Sequence, residues 1–544
     1  MTEGFSGFAE NIYKQKYSWK DANGTPTESW ADIASRVASS VLKPVPYLVE
    51  PIEKLIRDRK FIPGGRYLYA AGRPFHQVNN CFLYRAGDSR EDWAELLRKS
   101  SMSLMSGGGI GVDYSAVRPE GTPIRKVGGI ASGPLALMQM LNEIGRHVMQ
   151  GGSRRSAIWA GLRWSHKDIY KFIALKNWTP EVLELKAKNY NFPATMDMTN
   201  ISVILDKEFF DAFDRGDTHA KAVYYAVCKR MFKTAEPGFS VDYVDQTESL
   251  RNACTEITSS DDSDVCNLGS VNMARISDLA EFREVVGLAT RFLILGTLYS
   301  DIPHPEVETT RSTNRRIGLG LMGIHEWLIK RSYGYEAVPE LCEWLDTYRR
   351  ETDSIAESFS QSLGISTPIK RRAIAPTGTI GIIGETTTGI EPIYAKAFKR
   401  RYLKGKQWVY EYVIDPTVER LIQCGIPEGN IASAHSLGLT LPGFEQRIKF
   451  QADVQRYIDH GISSTINIAK WGTPTNNEDN VIQRADILYK YLPRLRGITC
   501  YADGSRGGQP ITEVDYTTAK NFRGAIHYEQ ADVCDLTSGG TCGS

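Results

Sequence analysis

Three side chains in Asn252-Ala253-Cys254-Thr255-Glu256 carry groups that could act together. In an extended segment residues i, i+2 and i+4 point to one side, so an amide, a thiol and a carboxylate would face one space. The carboxylate can take a proton from a hydroxyl. The amide can donate to and accept from a diol, and the thiol offers nucleophilic or redox chemistry. Cys266, in Cys266-Asn267-Leu268-Gly269-Ser270-Val271-Asn272, follows twelve residues on and could share that cavity. By spacing alone the first segment reads rather as an ordinary polar loop or strand, and Cys266 equally as a core residue.

A second group of segments offers backbone rather than side-chain chemistry. Ala375-Pro376-Thr377-Gly378-Thr379-Ile380 is small and hydroxyl-rich, and if a helix starts there its N–H groups can hold phosphate. It is no Walker A loop, because no Gly-Lys-Ser/Thr follows. Gly107-Gly108-Gly109-Ile110-Gly111 lacks dinucleotide-fingerprint spacing, and its glycines read as room for close packing.

These segments must be positioned by a large fold. The chain has 544 residues, 42% hydrophobic and 24% charged, which supports a sizeable core. Helical periodicity predicts a small helical region over 1–75. Thr25, Pro26 and Glu28 read as the start of a helix carrying Trp30, Ile33, Val37 and Val41, and a second helix spans 47–59. From about residue 76 to 515 strand and helix patterns alternate, beginning with a strand at 80–84, which favours α/β architecture. Residues 516–544 turn polar and read as a flexible tail ending in Cys534 and Cys542.

Charge and cysteine usage exclude several classes. Sixty-five basic and 64 acidic residues give a net charge of +1, so no global field attracts nucleic acid or an anionic membrane. No apolar run is long enough to span a bilayer and the N-terminus is no signal peptide, so a cytoplasmic location is expected. The nine cysteines are scattered without a CxxC pair, which argues against a disulfide framework or structural zinc. Cys228, Cys342 and Cys424 read as small buried hydrophobes in helices.

The order of these segments is more specific than any one of them. Cys81 after Asn79-Asn80, then Asn252/Cys254/Glu256, Cys266 to Asn272, Arg315-Arg316-Ile317-Gly318-Leu319-Gly320-Leu321-Met322-Gly323 and Ala375 to Ile380 resemble, in that order, the catalytic subunits of ribonucleotide reductases over roughly residues 5–510. The resemblance implies a ten-stranded α/β barrel of two antiparallel five-stranded halves, with a central finger loop and the helical cap. It implies that Cys254 is the thiyl-radical residue, Glu256 the base for the 3′-hydroxyl, Asn252 a holder of the sugar hydroxyls, and Cys81 with Cys266 the reducing pair. Asn80 and the segment Ala375, Pro376, Thr377, Gly378, Thr379 and Ile380 would bind the ribonucleotide substrate. Cys534 and Cys542 would re-reduce the pair, although they stand further apart than such tail cysteines usually do. A thioredoxin- or glutaredoxin-like reductant would serve as partner.

The same resemblance implies an allosteric site for a dNTP or ATP effector, at Asp88, Arg118, Arg125, Gln150 and Arg154, lying at a homodimer interface. A regulatory ATP-cone domain has no room ahead of the first barrel strand. The radical source is expected to be adenosylcobalamin. In Gly497-Ile498-Thr499-Cys500-Tyr501-Ala502-Asp503-Gly504-Ser505-Arg506 only one tyrosine occupies the place where relatives with a separate metal-containing subunit carry two. Tyr501 could still transfer a radical in the alternative, two-subunit reading. A catalytically inactive nucleotide-binding regulator is disfavoured because all five catalytic positions are intact, and a cysteine hydrolase because no histidine lies near Cys254 in sequence.

Overall fold

The computed structural model describes residues 4–125, 128–148, 156–189, 192–243, 248–404, 407–438, 440–505 and 511–530. Helices Gly7–Lys16, Trp30–Val41 and Val49–Arg57 form the N-terminal layer. The second begins later than the sequence reading placed it. Ser29 is the cap and closes a capping box with Asp32, while Glu28 instead takes the Trp19 N–H at 2.7 Å and pairs with Arg36 at 2.6 Å. Trp30, Ile33, Val37 and Val41 are all buried, as their spacing requires.

The strands, in chain order, are β1 (Phe61–Pro63), β2 (Cys81–Arg85), β3 (Gly109–Asp113), β4 (Ile158–Arg163), β5 (Thr199–Asp206), β6 (Gly238–Asp242), β7 (Leu250–Arg251), β8 (Thr258–Ser259), β9 (Asp264–Asn272), β10 (Ile317–Met322), β11 (Ala397–Lys404), β12 (Gln407–Ile414), β13 (Thr465–Ile468), β14 (Gly497–Ala502), β15 (Ile511–Glu513) and β16 (Ile526–Gln530). β2 to β6 run parallel, joined by helical crossovers. β9 lies antiparallel against β2 and parallel to β10, and β14 lies antiparallel against β6 and parallel to β13. With β1 on β9, ten strands make one mixed sheet in which the parallel block β2–β6 is flanked by two shorter pairs, β9/β10 and β13/β14, of opposite direction. β9 and β10 are buried along their whole length; β10 reads as the continuous apolar run of a strand covered on both faces, whereas β9 buries the polar Asp264, Asn267, Ser270 and Asn272.

The sheet does not close into the expected ten-stranded barrel. Between its β10 and β13 ends lie only two isolated parallel bridges, Leu319↔Arg372 and Ile374↔Ile462. The intervening stretch bonds alternately to either side, through Ala373 N to Leu319 O and Ile374 N to Gly461 O, and then meets Pro376, which has no N–H to continue a ladder.

A second sheet, β15–β11–β12–β16, stands apart. It draws in residues that composition had assigned to the tail: Tyr516–Asn521 form a helix and Ile526–Gln530 pair with β12. Among the described residues no helix is long and apolar enough to cross a membrane. Cys228 is buried in its helix, but Cys424 caps the end of one and is exposed, contrary to its apolar context.

Candidate active site

The segment that opened the sequence analysis is a hairpin tip rather than an extended strand. β7 and β8 pair over two rungs, Leu250↔Ser259 and Arg251↔Thr258. Between them Thr255 donates its N–H to Asn252 O at 3.0 Å and adopts φ 67°, a left-handed conformation that costs energy for a β-branched residue. The turn replaces the expected i, i+2, i+4 alignment. Asn252 and Glu256 are each 1% exposed, whereas Cys254 stands exposed at the turn.

The glycine-rich strand β3 makes room for this hairpin. A Cβ at Gly111 would come within 1.7 Å of Arg251 O, so the backbones meet where no side chain fits.

Cys81 and Cys266 are register partners across the antiparallel β2–β9 pair, both buried and not bonded to each other. Opposed residues on antiparallel strands hold their Cα atoms about 4.5–5.5 Å apart, inside the roughly 4.4–6.8 Å range of disulfides. The pair can therefore oxidise without a shift of register. Asn252 Nδ2 donates to Cys81 Sγ at 3.0 Å, and Asn252 Oδ1 accepts the Ile257 N–H at 2.9 Å, which fixes the amide between the hairpin and the thiol.

The interior is buried, and its acids respond. Burial pushes Glu256 up to about 7, with the Asn252 hydrogen bond pulling less strongly the other way. Among the described residues Glu256 Oε2 is buried without a hydrogen-bond partner. Burial also pushes the Cys81 thiol well up, aided by the nearby Glu256, Cys266 and Cys254, and raises Cys266 likewise.

Cys254 opens on the other face. A cleft of about 160 Å³ is bounded by Cys254 with Asn200, Ser202, Pro376, Ser464, Thr499 and Tyr501. Along β14 side chains alternate, so Thr499 and Tyr501 line the cleft while Cys500 is fully buried in the helix-covered core near Cys228. The residue in the place of the second tyrosine therefore points away from Cys254.

The remaining expected residues are placed as follows. Ala375 to Thr377 lead into helix Gly378–Gly384. Thr377 sits at φ 51°, its Oγ1 accepting the Gly389 N–H at 2.9 Å. Pro376 and Gly378 are exposed, Thr379 is half-buried and Ile380 is buried. Asn80 donates its N–H to Cys266 O at 3.1 Å, and its Oδ1 is buried without a hydrogen-bond partner. Asp88 accepts from Arg118 N at 2.8 Å and Nε at 2.7 Å, and Arg125 is exposed in the following loop. Gln150, Arg154, Cys534 and Cys542 lie outside the described residues.

Sequence reasoning missed Gly461, whose N–H holds Glu256 O at 2.6 Å, and the run Ser463-Ser464-Thr465 on the cleft wall. The signal resembles that at 375–380, a short stretch of small and hydroxyl residues, but it stands ahead of a strand rather than a helix.

A mixed sheet beside a cysteine-tipped hairpin, with an opposed cysteine pair at its centre, defines an α/β enzyme of thiol-redox type. Residues 79–230, 243–346 and 369–437 match the ribonucleotide reductase barrel domain, and the chain belongs to the ribonucleotide reductase family. It is similar to the vitamin B12-dependent ribonucleoside-diphosphate reductase of Thermoplasma acidophilum, with 29% identity over 87% of this chain and 67% of that one. It is also similar to the enzyme of the same name from Mycobacterium tuberculosis, with 26% identity over 93% of this chain and 80% of that one. The putative adenosylcobalamin-dependent ribonucleoside-triphosphate reductase of Mycobacterium phage D29 shares 26% identity over 95% and 97% of the two chains.

Proposed function

We propose that the chain reduces ribonucleotides to 2′-deoxyribonucleotides with a thiyl radical at Cys254, and that adenosylcobalamin generates that radical. The observation that carries the reading is the buried, register-opposed pair Cys81/Cys266 beneath a hairpin tip that presents Cys254, Asn252 and Glu256. As a thiyl, Cys254 takes hydrogen from C3′. Glu256 removes the 3′-hydroxyl proton, and Asn252 holds the sugar hydroxyls. The 2′-hydroxyl leaves as water with a proton from the pair, and Cys81 and Cys266 give up two electrons to become a disulfide. Cys254 then returns the hydrogen to C3′.

Asn80 and residues 375–380 take the substrate at its other end. The open space at Gly378 and the exposed N-terminal turn support phosphate binding there. The two isolated bridges, through residues 372–374, support the β10 and β13 ends of the open sheet lying on either side of this site.

The cleft of about 160 Å³ on Cys254's exposed face would meet only the nucleoside end of the cofactor. Asn200, Ser202, Ser464, Thr499 and Tyr501 give it hydroxyl and amide groups suited to a nucleoside. When bound, adenosylcobalamin supplies a 5′-deoxyadenosyl radical. The chain's own residues hold the thiol open to that cleft and keep the buried side closed. The names of the similar proteins support this source. The second reading, a radical delivered by a separate metal-containing subunit through Tyr501, has the position of Tyr501 in its favour but lacks a second tyrosine facing the cleft.

Asp88, Arg118, Arg125, Gln150 and Arg154 form the effector site for a nucleoside triphosphate. The Asp88–Arg118 pair supports it, as a carboxylate for a ribose beside a cation for phosphate. The exposed Met102, Met105, Met140 and Ile130, on and beside helices Arg90–Met105 and Gly133–His147, support a homodimer interface there. Cys534 and Cys542 relay electrons from a thioredoxin- or glutaredoxin-like reductant in the cytoplasm, where dithiols stay reduced.

The test is turnover of the lone chain with a ribonucleotide, a small dithiol and adenosylcobalamin. Deoxyribonucleotide formation that stops when cobalamin is omitted is expected. Turnover only on addition of a metal-containing subunit contradicts the cofactor assignment.

A further inference from the structure

The motif around Arg316 takes no part in the chemistry above, yet Arg316 is 2% exposed and makes two ion pairs. Its Nε lies 2.6 Å from Asp264, the first residue of β9, and its Nη2 lies 3.0 Å from Glu248, just before β7. Lys370, just ahead of the bridging stretch 372–374, pairs with the same Glu248 and donates to Thr258 Oγ1 at 3.0 Å. Thr258 on β8 also donates to Glu248 at 2.6 Å, and its neighbour Ser259 donates to Asp264 at 2.7 Å. Two carboxylates and two cations thus grip both strands of the hairpin stem, with no net charge left over.

A two-rung hairpin is marginal by itself, and this one hangs inside the fold with its tip in a strained turn. The stem therefore needs support that its own ladder does not give. Burial pushes Glu248 up, but Arg316 and Lys370 outweigh it and hold the carboxyl at about 2. Glu248 therefore stays ionised around neutral pH.

We infer that Arg316 and Lys370 are positioning residues, and that their clamp on Glu248 and Asp264 sets where the hairpin presents Cys254 and Glu256 above Cys81 and Cys266. The inference rests on the proposed function for its kinetic arm alone.

The experiment compares Lys370→Met, Glu248→Gln and the double variant, each checked for a cooperative melt. Each single variant strands a buried charge and lets the tip move. A misplacement of this kind should lower kcat about 100-fold while KM for the ribonucleotide changes less than about threefold. The double variant restores charge balance and should recover about tenfold of that loss, a non-additivity that global destabilisation does not produce. Arg316→Lys should retain more kcat than Arg316→Met. Wild-type kcat in the folded single variants, or additive losses in the double, overturns the inference. A second measurement needs no turnover. Native-state alkylation with peptide mapping should find Cys81 and Cys266 protected in the wild type and labelled in Lys370→Met, because Asn252 no longer covers Cys81. Equal protection in both overturns the clamp. If the wild type reduces no ribonucleotide, the functional reading fails and the alkylation result still decides the clamp.

Discussion

The two faces of the hairpin tip differ in almost every physical respect. On the inner face Asn252, Glu256, Cys81 and Cys266 are buried, hydrogen-bonded to one another or raised in pKa by loss of water. On the outer face Cys254 stands exposed beside a polar cleft. The contrast separates two tasks that share one loop. Proton transfer and disulfide formation need a site where charges are few and water is absent, because water would quench intermediates. Receiving an oxidising equivalent needs access. One residue, Cys254, touches both.

The comparison can be broken hardest at Cys254. Cys254→Ser should abolish reduction while nucleotide binding, followed by equilibrium dialysis, stays close to wild type. Residual turnover would show that the outer thiol is not the link between the faces. Next come Cys81→Ser and Cys266→Ser, each of which should stop multiple turnover. Steady cycling in either variant, followed by product counting, would remove the inner pair from the chemistry.

Glu256→Gln sharpens the contrast through pH. A general base contributes about 10²–10⁴-fold, so kcat should fall by that order. In the wild type the acid limb of kcat/KM should rise with a midpoint near the carboxyl's value of about 7, since only the carboxylate accepts the proton. The same shift has a stability consequence of opposite sense. The folded state holds this proton up to about 7 and the unfolded state only to about 4.5, so the buried carboxyl lowers stability as pH rises between them. Above pH 7 the cost is on the order of 3 kcal/mol. Glu256→Gln should therefore melt higher than wild type at pH 8 and equally at pH 4. A variant less stable than wild type at pH 8 would contradict the buried inner face. The smallest effect is expected at Tyr501→Phe, which keeps the cleft's shape and removes only the phenol. Most turnover should remain when the radical arises in the cleft, and loss of nearly all of it would favour a tyrosyl relay.

Much of this was legible in the sequence because residue type and order survive folding. Cys81, Cys254 and Cys266 were singled out by the order of their segments rather than by any one of them, and the structure sets Cys81 opposite Cys266; the glycines of 107–111 were read as packing room, which Gly111 against Arg251 bears out. The alternation that turns Cys500 away from the cleft follows from strand period alone once β14 is placed. What was not legible depended on tertiary partners. A two-rung hairpin has too few residues to show a strand pattern, so Asn252 to Glu256 read as extended. Thr25-Pro26 imitates a helix start as well as Ser29 does, but Glu28 is taken by the Trp19 N–H and Arg36, and Ser29 closes the box with Asp32. The sheet's open seam at 372–374 came from Pro376 interrupting a ladder, which no local propensity announces. The clamp at Arg316 joins segments more than 100 residues apart in sequence order, Lys370 and Glu248 among them.

The division between the faces is tested most directly by mapping thiols after one round of chemistry. Fully reduced enzyme, freed of dithiol, is mixed with ribonucleotide and adenosylcobalamin, quenched with an alkylating agent and analysed peptide by peptide, in a variant carrying Cys534→Ser and Cys542→Ser so that the tail cannot exchange. The account predicts one Cys81–Cys266 disulfide for each deoxyribonucleotide formed, with Cys254 recovered as an alkylated thiol. Deoxyribonucleotide formed with Cys254 in the disulfide, or with Cys81 and Cys266 still reduced, would contradict it.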